Sequence, residues 1–441
     1  MHSFVASTLA PENWPFSLAL LPEPAYMVGG AVRDAILGRT REYLDLDFVI
    51  SSNAVNVARA IARHYNAGFV LLDAERQIAR VVFPHATADF AQQEGDSLAV
   101  DLHRRDFTIN AIAYNPHTQE IIDPLQGYAD LQQGILRMIS PANLEDDPLR
   151  LMRAYRQAAQ LNFTIEPVTQ GTIRSLASHL AKVAPERFRV EIGYLLASQG
   201  TSWITTAWED GLLTAFFKNA TRESLNKLAA VDKAAVFLAQ NWQQLGVQLQ
   251  LYVRDTVKTT WLGIAKLACL VNPNPELAEI ELQELTYSRA EIRGVTTALR
   301  LSPQLKAANM SLREQYFLFQ DADIIFPATV ALAVASDNLV EAISGDKQLD
   351  TAVATTEETY TTRCLVFAPL INRYLNPDDL VAHPTPLVSG KELIIALDIP
   401  ASPIVGKLLT EIAIAQAEGK ISTATDAIAF ARELVEANGD W

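Results

Sequence analysis

Asp45 and Asp47 are the residues of this 441-residue chain whose spacing most directly suggests chemistry. On a β-strand, positions i and i+2 point to one face, and the rise per residue sets two such carboxylates about 7 Å apart along the strand. Like charges aimed at one point repel unless a cation sits between them. Magnesium suits such a pair, because it takes hard oxygen ligands and keeps positions open for water and for substrate phosphates. Two such ions can clamp the attacking and leaving oxygens of a phosphoryl transfer. An isolated Asp-x-Asp is more often a solvated strand edge. Here it follows Gly29-Gly30 and Arg33 closely. Two glycines let a backbone pass near a ligand, and a helix starting there offers free N–H groups to an anion. Arg33, one turn into that helix, can reach the same anion.

The elements that must position these residues lie in 25–140, where short apolar runs alternate with helical ones. Residues 26–28, 46–50, 69–72, 79–83, 86–91 and 120–122 have the pattern of strands, and 31–37, 54–65 and 108–113 that of short helices. The mixture predicts a small mixed sheet with helices on one face. On the strand carrying the acids, Leu44, Leu46 and Phe48 take the core side. After Ser140-Pro141 the pattern turns helical and stays so to the end. Breaks are expected near Pro141, Gly200, Pro275 and 376–386. The fold class is therefore α+β: a mixed-sheet unit over 1–140, then helical segments over 141–200, 201–375 and 376–441.

Gly29-Gly30-Ala31-Val32-Arg33-Asp34, Leu37-Gly38-Arg39 and Asp45-Leu46-Asp47 together resemble the first motif of the class II tRNA nucleotidyltransferases, the CCA-adding enzymes with their relatives the bacterial poly(A) polymerases. Four later segments agree with that family in order. Arg104-Arg105-Asp106-Phe107-Thr108-Ile109-Asn110-Ala111 resembles its second motif, whose Arg-Asp pair contacts the nucleotide sugar. On the residues alone, Asp106 can accept from a sugar hydroxyl and Arg105 can pair with a phosphate, or the two can pair with each other. Residues 122–131 resemble the segment that closes the catalytic domain. Asp146-Asp147-Pro148-Leu149-Arg150-Leu151-Met152-Arg153-Ala154-Tyr155-Arg156 resembles the helix that selects the incoming base. There Asp147 and Arg150 stand i, i+3 and are expected on one helix face. A carboxylate can accept from an exocyclic amine and an arginine can donate to ring acceptors. The bland alternative is an intrahelical salt bridge. Asp146 stands where the family has Glu. Pro185-Glu186-Arg187-Phe188-Arg189-Val190-Glu191 resembles the fifth motif, whose Glu-Arg braces the template helix.

The resemblance implies template-independent addition of nucleotides to the tRNA 3′ end, with Mg²⁺ on Asp45 and Asp47. It implies nucleotide-binding roles for Gly29, Gly30, Arg33, Arg105, Asp106, Asn110, Asp147, Arg150, Arg153 and Arg156, and supporting roles for Asp146, Glu186, Arg187 and Glu191. CTP is the expected substrate, with ATP added in the case of full CCA addition. Asp47 and Arg105 stand 58 positions apart. That interval is short beside complete CCA-adding members, which hold a flexible loop there, and members without the loop add only the two C residues. Poly(A) synthesis and a non-catalytic RNA-binding module that kept the fold are the alternatives. Downstream, Ser389-Gly390-Lys391 and Gly406-Lys407 resemble part of the family's tRNA-gripping region, where a plain capped helix is an equal reading.

Composition agrees with an ordinary globular protein: 49% of residues are apolar. A net charge of −15 argues against a protein that coats nucleic acid without selectivity. The basic residues of the first 200 positions are 16 Arg and one Lys, Lys182, and Arg offers the planar fork that matches phosphates and base edges. No run of about 18 apolar residues predicts a membrane span, and residues 1–14 lack a signal-peptide pattern. Cys269 and Cys364 stand far apart in apolar contexts, as buried thiols of a reducing cytoplasm would.

Overall fold

The computed structural model describes residues 8–39, 43–197, 201–254, 259–305, 310–336 and 357–437, with side chains from 365 onward in the last segment. The expected break at Gly200 and the side chain of Cys364 lie outside the described residues. The chain divides into two compact units, residues 1–191 with 206–215, and 192–205 with 216–441.

The first unit is built on seven strands: β1 Ala25–Val28, β2 Leu44–Ile50, β3 Gly68–Asp73, β4 Ile78–Phe83, β5 Ala86–Gln92, β6 Ala113–Asn115 and β7 Glu120–Ile122. Their order is β3-β4-β5-β2-β1-β6-β7. β2 and β5 run parallel while the other pairs are antiparallel, so the sheet is mixed, as expected. Strict alternation on β2 buries Leu46, Phe48 and Ile50 on one face. There Phe48 stacks on Phe90 at 5.5 Å and meets the edge of Trp14 at 5.0 Å. Helix α1 (Gly30–Ile36) follows β1, and α2 (Ala54–His64) packs on β4 and β5. α2 buries Val55, Ala58, Ile61 and Ala62, one stripe at helical spacing.

The helix expected over 108–113 is not formed. Thr108–Asn110 make a single 3₁₀ turn, and the chain then enters β6, pairing Ala113 with Val28 and Tyr114 with Met27. Two forces override local propensity here. Ile109, Ala111, Ile112 and Ala113 are fully buried, and the Asn110 side chain bonds Asp106 and Gln157 instead of facing solvent from a helix. Helix α3 (Leu98–His103), capped by Ser97, was not legible in the sequence pattern. Beyond the sheet come α4 (Gly127–Gln133), α5 (Pro141–Asp146), α6 (Leu149–Leu161), α7 (Pro167–Leu176) and α8 (Pro185–Ala197). Arg39 of the first motif anchors the end of α6, donating to the carbonyls of Gln160 and Leu161 at 3.1 and 3.4 Å. This is the favourable place for a cation on a helix.

The second unit is helical among its described residues. Trp261–Leu270 is buried on every side and runs through its centre, touching Arg222–Asn241, Arg289–Leu301 and Phe326–Val334. Lys266 is wholly buried and paired with Asp232 at 2.5 Å. The apolar stretch Leu312–Val334 is long enough to cross a membrane by length and composition, but 72% of its apolar 18-residue window is buried inside the unit. It is also broken at Asp323, whose φ is 46°. Residues 387–435 carry a small core of their own around Leu393, Leu408 and Ile412.

Candidate active site

Asp45 and Asp47 project together from the open face of β2, the side opposite Phe48. In the sheet register Asp45 stands beside Thr87 and Asp47 beside Asp89, both on β5. The Thr87 hydroxyl donates to Asp45 Oδ1 at 2.6 Å. Asp89 is a third acid of this face that sequence reasoning missed. The signal was present: Ala88 and Phe90 alternate into the core, which turns Asp89 toward the aspartates. Its charge is answered by Arg80 on β4, which donates from Nε and Nη2 to its two oxygens at 2.7 and 2.8 Å.

Burial, and then the charges of Asp45 and Asp89, push the Asp47 carboxyl up to about 7, against the opposing pull of Arg105 and Arg80. An acid held so high wants either a proton or a cation. The donors are carboxylate oxygens, the ligand type of a hard divalent ion. Among the described residues no set of three or more His, Cys, Asp or Glu forms a ready-made cage. The pair therefore fits an ion that draws its remaining ligands from water and substrate, as magnesium commonly does.

Gly29 joins β1 to α1 with φ 71°, a backbone that L side chains rarely adopt. A methyl group there would also lie 3.3 Å from Asp47 Oδ2 and 3.7 Å from Arg105 Nη1. Asp45, Asp47 and Gly30 line a recess of about 50 Å³. Arg33 is placed otherwise than its spacing suggested. Its guanidinium is buried, with Nε and Nη2 on Asp34 Oδ1 at 2.9 and 2.7 Å and Nη1 on Asn110 Oδ1 at 2.8 Å. Its fork is spent on the protein, so it braces the loop behind Gly30.

A larger cavity of about 690 Å³ lies in the same unit, lined by Arg104, Arg105, Asp106, Asp146, Asp147, Arg150, Arg153 and Arg187 among others. Arg105 and Asp106 do not pair with each other. Arg105 bonds Asp101 at 3.1 Å and keeps a buried Nε–H without an acceptor. Asp106 accepts from Phe107 N, Asn110 Nδ2 and Arg153 Nη1 at 2.8, 2.9 and 3.3 Å. Burial alone would raise its pKa; Arg153, Asn110 and Phe107 outweigh that and hold the carboxyl below the usual range. Asn110 thus links Arg33, Asp106 and Gln157 in one buried network.

Asp147 and Arg150 do not share a helix face. Pro148 disfavours helical backbone in the residue before it, so Asp147 is extended (φ −132°, ψ 91°) and closes α5, while Arg150 lies in α6. Both still line the cavity. Arg150 Nη1 donates to the carbonyls of Arg104 and Asn143, each at 2.9 Å. Asp147 is gripped by Arg187. Glu191 accepts from Arg156 at 2.5 Å and lies 3.7 Å from Arg153. Arg156, held also by Gln160, is not among the residues lining the cavity. Glu186 is exposed in the first turn of α8, where a negative charge suits the helix dipole.

Comparison with known proteins agrees with this architecture. The family model of the poly(A) polymerase head domain matches residues 25–137, and that of tRNA nucleotidyltransferase domain 2 matches 255–431. A protein of Synechocystis sp. named CC-adding tRNA nucleotidyltransferase is 47% identical over 96% of this chain and 96% of its own length. One of the same name from Geobacter sulfurreducens is 30% identical over 91% and 90%. A solved CCA-adding enzyme in complex with ATP shares the fold, at 22% identity and a TM-score of 0.66, covering 95% of this chain and 92% of that one.

Proposed function

Since the chain belongs to the family of tRNA nucleotidyltransferases and poly(A) polymerases, we propose that it adds the two C residues to the 3′ end of tRNA, with CTP as donor. The observation that carries this reading is the joining of the paired aspartates to an arginine-lined cavity by Gly29 and Arg105, in a chain nearly half identical to a CC-adding enzyme. The interval between Asp47 and Arg105 holds only tight connections where strands meet: residues 74–77 join β3 to β4, and Pro84-His85 join β4 to β5. That compactness favours addition of C alone over full CCA addition.

In the reaction the terminal tRNA hydroxyl attacks the α-phosphorus of CTP, forming the new phosphodiester and expelling pyrophosphate. Asp45 and Asp47 would hold the divalent ion, Mg²⁺ in this reading, which would supply positive charge to the α-phosphate and to the leaving pyrophosphate. Gly29 and Gly30 let the triphosphate approach the backbone. Arg105, with an unspent Nε–H, binds a phosphate oxygen. Asp106 is kept ionised and accepts from a ribose hydroxyl. Asp147 accepts from the cytosine amine and Arg150 donates to its ring acceptors. The buried thiol of Cys269, pushed up to about 12 by desolvation, suits a reducing cytoplasm.

A tRNA lacking its 3′ CCA, incubated with labelled CTP and Mg²⁺, tests the assignment. The protein incorporates label, while Asp45→Asn and Asp47→Asn lose incorporation and keep their circular dichroism. Incorporation at wild-type rate by either variant would remove the aspartates from the mechanism.

A further inference from the structure

Six guanidinium groups line the 690 Å³ cavity: those of Arg76, Arg104, Arg105, Arg150, Arg153 and Arg187. Five of them are engaged with the protein. Arg104 pairs with Glu94, Arg105 with Asp101, Arg153 with Asp106 and Arg187 with Asp147, while Arg150 donates to two carbonyls. Among the described residues, only the Arg76 guanidinium on this lining has no acceptor; the recorded hydrogen bond of Arg76 is made by its backbone N–H.

That side chain stands on a fixed support. Asp73 Oδ1 accepts from the N–H groups of Glu75 and Arg76, both at 2.9 Å. Gln77, at φ 53°, reaches back to the Ala74 carbonyl at 2.7 Å, and its own carbonyl accepts from Gln92 N at 3.2 Å. A turn so tied holds the Cα of Arg76 at the cavity wall and leaves only the long side chain to move. An exposed guanidinium on a fixed backbone, with no protein partner, is available to an anion. Arginine's planar fork matches a phosphate better than it matches a single acceptor.

We propose that Arg76 binds a phosphate group of the substrate in this cavity, as the one guanidinium among these six that pairs with no protein group among the described residues. The proposal rests on the nucleotidyl-transfer reading and adds a contact point to it. The phosphate belongs either to the 3′-terminal backbone of the RNA or to the nucleoside triphosphate, and kinetics separate the two.

The test compares Arg76→Ala and Arg76→Lys with the wild type in C addition. KM is measured for CTP and for tRNA, together with the salt dependence of tRNA binding. Loss of a charge-assisted contact raises the KM of the bound partner about tenfold in Arg76→Ala. Lysine, a point charge, restores part of it. An RNA phosphate gives a raised KM for tRNA and lowers the slope of log K against log salt by about 0.7. A triphosphate contact raises the KM for CTP and leaves that slope alone. If the wild type adds C and Arg76→Ala matches it in both KM values and in salt slope, the inference is overturned and the nucleotidyl-transfer reading stands. A wild type that adds no nucleotide overturns that reading and the inference with it.

Discussion

Arg187 Nη2 donates to both carboxylate oxygens of Asp147, at 3.0 and 3.2 Å. A residue on α8 therefore orients the carboxylate at the end of α5, while the Arg150 side chain is turned to the carbonyls of Arg104 and Asn143. The pair is partly exposed, so its worth to folding is below about 1 kcal/mol. Its worth to function lies in aiming one acceptor at the base.

Arg187→Ala is therefore expected to leave the melting temperature within about 2 °C of wild type. The same change lowers kcat/KM for CTP by roughly tenfold, as the loss of one positioned base contact does, and narrows the preference for CTP over UTP. Steady-state kinetics with each nucleotide, beside a thermal melt, check both halves. A large loss of stability with unchanged nucleotide preference would assign Arg187 to folding instead.

Asp47 makes stability depend on pH with a defined sign. Its carboxyl holds a proton up to about pH 7 in the folded chain, against a usual value of 3.8. The folded state therefore binds more protons than the unfolded state across that window. The contribution of Asp47 to stability in a chelator falls as pH rises from about 4 to 7 and levels off above. Asp47→Asn removes that contribution, so at pH 8 in chelator it melts higher than wild type, and the gap closes toward pH 4. Melting curves of both proteins over this range measure it. Mg²⁺ raises the wild-type melt at pH 8 and leaves that of the variant nearly unchanged.

Gly127 opens α4 directly against the turn that carries Asn110. A methyl group at this position would lie 2.2 Å from the carbonyl oxygen of Thr108 and 2.8 Å from its carbon. Both are backbone atoms that cannot swing aside. Gly127→Ala is predicted to cost about 1–3 kcal/mol, a fall of several degrees in melting temperature. It should also raise the KM for CTP, because Asp106 and Asn110 move with the turn. A melt and a CTP titration test this together, and an unchanged melt would mean that the turn yields freely.

The acids were readable because a strand's period of two needs no tertiary information: Leu46 and Phe48 in, Asp45 and Asp47 out. The mixed sheet followed from the same alternation. What could not be read is set by contacts between distant segments. Asp89 gains meaning only when β5 lies parallel to β2 in register. Arg33 looked available until Asn110, 77 positions on, arrived to accept from it. Asp147 and Arg150 looked like one helix face because the spacing was right; Pro148 between them carried the contrary signal. The helix expected over 108–113 gives way to the pairing of Ala113 with Val28, a contact between segments 85 positions apart.

The most direct test of the account is the length of the product. A tRNA lacking its 3′ CCA is incubated with CTP, ATP and Mg²⁺ and resolved to single nucleotides. The expected product is two C residues longer and is not extended by ATP. A product longer by three, ending in A, would contradict the CC-adding assignment.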